Sequence, residues 1–114
     1  MSQYVPSKDP NDIVFYYYIF CSRDGTNDGS ATDTGVLQGA TITSATVTPD
    51  AGLTLDTSNT AAVTIKGVSY AANTVVTAKF SGGTVPVDYD ALCRVVLSDT
   101  RQLDRTIIIP VREN

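Results

Sequence analysis

Ile13-Val14-Phe15-Tyr16-Tyr17-Tyr18-Ile19-Phe20-Cys21 is, apart from its cysteine, all β-branched or aromatic. These side chains suit a pleated backbone better than a helix. A run this short and apolar reads as a strand, and it is far too short to cross a membrane as a helix. It does not alternate. A half-exposed strand would put polar side chains on one face. Here Ile13, Phe15, Tyr17, Ile19 and Cys21 share one face, and Val14, Tyr16, Tyr18 and Phe20 share the other. Both faces therefore need a cover. One comes from the chain's own core, the other from a loop, an arm or a partner subunit. The partner reading places Tyr16, Tyr18 and Phe20 at the contact, because aromatic side chains concentrate at the centres of protein interfaces.

Downstream, short strand signals alternate with turn signals. Ala40 to Thr48 alternates hydroxyl and apolar residues and ends at Pro49-Asp50-Ala51-Gly52. Leu53 and Leu55 share a face before a turn read at Asp56 to Ala61. Val63-Thr64-Ile65 and Val75 to Ser81 follow, the latter closing on Gly82-Gly83. Tyr89, Ala91, Cys93, Val95 and Leu97 line one face of the next strand. Leu103, Ile107, Ile109 and Val111 line one face of the last, with Arg105 interrupting the pattern. No stretch has helical period and length, which argues against a parallel βαβ sheet. The expected architecture is all-β: an immunoglobulin-like antiparallel sandwich of about seven strands. Residues 1–12, with Pro6 and Pro10, read as an extended N-terminal arm, and residues 13–114 as the sandwich domain. The length of 114 residues suits one domain with a core of its own.

Composition narrows the chemistry. Histidine is absent, which removes the usual general base and the commonest metal ligand. Cys21 and Cys93 then have no imidazole to activate them, and they read as two reduced, buried thiols. Asp88 and Asp90 stand on one strand face beside a turn, a solvated pair rather than a catalytic dyad. Asp24-Gly25-Thr26-Asn27-Asp28-Gly29 has oxygen ligands at alternating positions, but the twelfth position of a calcium loop is Gly35, not an acid. It reads as a polar turn within the long loop from Arg23 to Gly39. No cofactor, no metal and no enzymatic activity are expected. The net charge of −4, with Arg94, Arg101, Arg105 and Arg112 interleaved among acids, argues against nucleic acid as a partner. The N-terminus lacks a secretory pattern, so a soluble protein made in a cytoplasm is expected.

Four stretches resemble one family. Lys8-Asp9-Pro10-Asn11-Asp12-Ile13-Val14 is similar to the opening of small tailed-bacteriophage virion proteins known as fiber–tail adaptors. Ser44 to Leu55, Thr77 to Thr84 and Arg101 to Ile109 resemble that family's later motifs and occur in its order. The loops Arg23 to Gly39 and Asp56 to Asn73 look longer than the family's, and Asp104-Arg105 keeps part of its closing motif. The resemblance implies a virion structural protein, assembled in the host cytoplasm, that joins tail or neck proteins to fibers and stands in a ring of its own copies. It implies no membrane partner. Lys8, Asp9 and Pro10, with Tyr16, Tyr18 and Phe20, become the expected partner contacts. A capsid decoration or cement protein, or a carbohydrate-binding β-sandwich module, are the competing readings.

Overall fold

In a computed structural model the described residues are 2–22, 25, 27–30 and 35–112. They contain nine strands and no helix. In chain order these are β1 (Ser2–Tyr4), β2 (Val14–Ile19), β3 (Ile42–Pro49), β4 (Leu53–Asn59), β5 (Val63–Ile65), β6 (Val68–Tyr70), β7 (Val75–Gly82), β8 (Asp88–Leu97) and β9 (Gln102–Pro110). One sheet has the order β1-β9-β8-β3 and the other β2-β7-β4, while β5 and β6 form a separate hairpin.

Alternation places the core. The side chains of Tyr89, Ala91, Cys93, Val95 and Leu97 on β8 all point inward and are buried, joined by Ile107 and Ile109 of β9. The opposing sheet supplies Tyr16 and Tyr18 from β2, with Phe20 just beyond it, and Val76, Ala78 and Phe80 from β7. The Tyr18 hydroxyl donates to the Ala91 carbonyl at 2.9 Å, tying β2 to β8 across the layers. The two sheets thus form a β-sandwich around one contiguous core. Its accessible surface is 6182 Å², close to the roughly 6,000 Å² that area scaling gives for a folded chain of this mass.

Three departures from the sequence reading have physical causes. The strand over Leu53 continues to Asn59 where a turn was expected. Beyond Leu55 its side chains, Asp56, Thr57, Ser58 and Asn59, are all polar and exposed, so no buried face marks it. Val68–Tyr70 pairs with Val63–Ile65 as a hairpin that three-residue signals do not announce. Finally, the sandwich is not purely antiparallel, because β1 pairs parallel to β9. The arm lies against its own domain: the Val5 N–H donates to Ile108 and the Lys8 N–H to Pro110, at 3.1 and 2.9 Å.

Candidate interaction surface

Three of the four family-like stretches meet at one end of the sandwich. Lys8 is fully buried. Its ammonium donates to the Gly82 carbonyl at 2.7 Å and to Asp9 at 2.8 Å, with a longer contact to Pro10 at 3.4 Å. Asp9 turns the chain: its carboxylate accepts from the Asn11 N–H and its carbonyl from the Asp12 N–H. Pro10 follows it at the position where a preset φ favours such a turn. Gly83 has φ of 96°, and a side chain there would meet Val111 at 2.7 Å. The Gly83 N–H donates to Gly52 and the Thr84 N–H to the Tyr89 hydroxyl. Lys8, Asp9 and Pro10 therefore build the corner that carries the arm into β2.

Tyr16, Tyr18 and Phe20 are at 7%, 3% and 1% exposure. The expected aromatic contact face is the inward one, and the chain's own core fills it. In the single chain these three side chains are therefore not at the surface. The odd face is the outer one: Ile13 and Phe15 are 61% and 53% exposed, and Tyr17 and Ile19 are half-buried. Sequence alternation named both faces apolar but could not choose, since the choice depends on which sheet lies behind. Beside Phe15 runs a groove of about 430 Å³. Val5 and Pro6 of the arm form one wall, Phe15 and Tyr17 another, and Ile65 and Lys66 of the hairpin close it.

The long loop is anchored where it is described. The Val36 and Leu37 N–H groups donate to the Phe20 carbonyl, and Leu37 is buried. Arg101 donates to the carbonyls of Val36 and Leu37, both at 2.9 Å. Asp24 and Thr26 of the calcium-like segment lie outside the described residues.

Ionisable groups hold structure. Among the described residues no three His, Cys, Asp or Glu side chains cluster as metal ligands. Asp88 pairs with Arg112 at 2.7 Å, and Asp50 accepts from the Asp90 N–H. Arg94 and Asp104 form an exposed two-bonded pair that holds the Asp104 carboxyl below its usual range. Both cysteines are free thiols and buried. Burial, followed by the charge of Asp104, pushes the Cys93 thiol up to about 12. Burial also raises the phenols of Tyr18 and Tyr16. The folded chain keeps these protons as pH climbs past the point where the unfolded chain releases them. Stability from these groups is then complete below about pH 9 and declines above it. Lys8 acts with the opposite sign, since burial lowers its pKa against the pull of Asp12, Asp9 and Asp56. With three groups against one, the expected melting temperature is level from about pH 7 to 8.5 and falls toward about pH 11. A melting temperature that rises over that interval would assign the balance to Lys8 instead.

Comparison with known proteins yields one family. The model of the podophage GP4 fiber-tail adaptor protein gp77 family matches residues 26–110. The matched span contains β3 through β9 and excludes the arm and β2. No curated protein and no solved structure matches the chain. With well over half its length matched, the chain belongs to the podophage GP4 fiber-tail adaptor protein gp77 family of phage structural proteins.

Proposed function

We propose that this chain is a non-enzymatic adaptor that joins tail or neck proteins of a phage particle to its fibers, standing there as a ring of copies. The observation that carries the reading is the outer face of β2. Among the described residues, Ile13 and Phe15 are the most exposed large apolar side chains, and Phe15 lines a groove walled by the arm. Large apolar groups left in water beside a groove fit a protein contact, where their burial contributes binding energy. Closed rings arise when one surface patch meets a different patch on the next copy and the rotation closes. Two reduced thiols fit assembly in a host cytoplasm.

The sandwich itself is proposed to be of immunoglobulin type. In that arrangement one sheet holds strands A, B, E and D, and the other C, F and G. The orders β2-β7-β4 and β9-β8-β3 correspond to B-E-D and G-F-C. The hairpin β5-β6 is then an insertion between D and E.

Replacing Phe15 by aspartate tests the adaptor reading. The side chain is half exposed, so the variant is expected to fold with a loss of about 1 kcal/mol from weaker strand propensity and lost partial burial. Incorporation of the F15D chain into particles, quantified against a tail protein, is expected to drop by about 10-fold or more, the loss of one apolar interface anchor. Undiminished incorporation of a folded F15D chain would remove the β2 face from the function.

A further inference from the structure

A sheet ends in strands whose outward N–H and C=O groups lack a neighbour. Folded chains blunt such edges with short strands, bulges, charges or proline. The two main sheets end in β1, β3, β2 and β4. β1 is only three residues long. β3 is broken by a register shift between Ile42 and Ser44. β4 is broken between Leu55 and Thr57 and carries Asp56. β2 has none of these devices. It is six residues long, without charge or proline, and its register with β7 is continuous. Among the described residues, no hydrogen bond joins the backbone of Val14–Ile19 to any strand but β7.

Charge marks the same place. The Lys79 ammonium stands 5.8 Å from the centre of the Phe15 ring, and Lys66 lines the groove beside Tyr17. Arg94, Arg101 and Arg112 each pair with an aspartate. Lys66 and Lys79 have no carboxylate partner among the described residues. On a chain of net charge −4, two cations without a carboxylate partner therefore stand over the outer face of β2, Lys79 above Phe15 and Lys66 in the groove.

We infer that the open edge of β2 accepts a strand: one extended segment of another virion protein, apolar along its length and carrying an acidic side chain toward Lys66 and Lys79. The inference rests on the adaptor reading and names how its partner is held. Main-chain hydrogen bonds would supply affinity, and the apolar groove and the two lysines would select the side chains. The immunoglobulin arrangement seats its A strand beside B, the place next to β2. Here the arm runs along β9 instead and leaves that place open. A second copy pairing its own β2 there would bring no carboxylate, since β2 contains none.

Hydrogen exchange of the β2 amides, read by mass spectrometry in purified particles and in the isolated chain, tests this. The outward-pointing amides are expected to exchange about 100-fold or more slowly in the particle than in the isolated chain. A Lys66→Glu, Lys79→Glu double variant changes two side chains that are not buried and is expected to fold. Its incorporation should drop by about 10-fold, the loss of the complementary charges. Particles that contain the chain at the tail but leave the β2 amides unprotected would overturn the strand-acceptor inference and leave the adaptor reading intact. Particles that lack the chain would overturn both. An isolated chain that dimerises with its β2 amides already protected would assign the edge to a second copy and overturn the inference.

Discussion

Truncating Phe80 to alanine is expected to cost about 3–5 kcal/mol of folding stability, the range for removing a buried aromatic side chain from a packed core. Phe80 is fully buried on the central strand of its sheet. It pairs in register with Val14 on one side and Leu55 on the other. Its ring centre lies 6.1 Å from that of Tyr16. Removing the ring takes contacts from both neighbouring strands at once and leaves a cavity that extended strands cannot easily close. A domain of this size is stable by roughly 5–15 kcal/mol, so the variant would stand near the threshold of folding. Urea unfolding should show a lower midpoint with an unchanged slope. A loss below about 1 kcal/mol would mean that the sheets do not pack across Phe80.

The second large effect is expected at Lys8. Replacing it with methionine keeps most of the side-chain volume but removes the donor that serves Gly82 and Asp9. A buried carbonyl that loses a charged donor costs about 1.5–3 kcal/mol, while relief of the ammonium's own desolvation returns part of that. The expected net loss is about 2 kcal/mol. It should also be local. The Val5 N–H and the Arg112 N–H, which donate to Ile108 and to Lys8, tie the arm to β9. Their exchange should quicken more than that of the β7 and β8 amides. A uniform change across the sandwich would mean that Lys8 does not hold the arm.

The sequence made most strands legible because burial on one face imposes a period of two. The alternation from Tyr89 to Leu97 survives intact as the buried face of β8. The outer part of β4 was not legible, because polar side chains on an exposed edge carry no such period. Nor was the parallel course of the arm, since its pairing depends on a partner more than a hundred residues away in sequence. The contact surface was half legible. Two apolar faces on residues 13–21 pointed to a second cover. Which face is outward followed only from the position of β8, whose Ala91 carbonyl receives the Tyr18 hydroxyl. Lys8 was singled out as a contact residue on a motif. Its burial shows that the motif encodes a corner of the fold, with Gly82 as the unforeseen partner.

On the proposed function, an adaptor β-sandwich uses the outer face of β2 to connect parts of a phage particle. Cryo-EM of particles containing the chain tests it most directly. Density for the sandwich is expected between tail or neck and fibers, in the few copies of a closed ring, with Ile13 and Phe15 covered by another protein. Density spread over the capsid lattice in hundreds of copies, or a ring in which Ile13 and Phe15 face solvent, would contradict it.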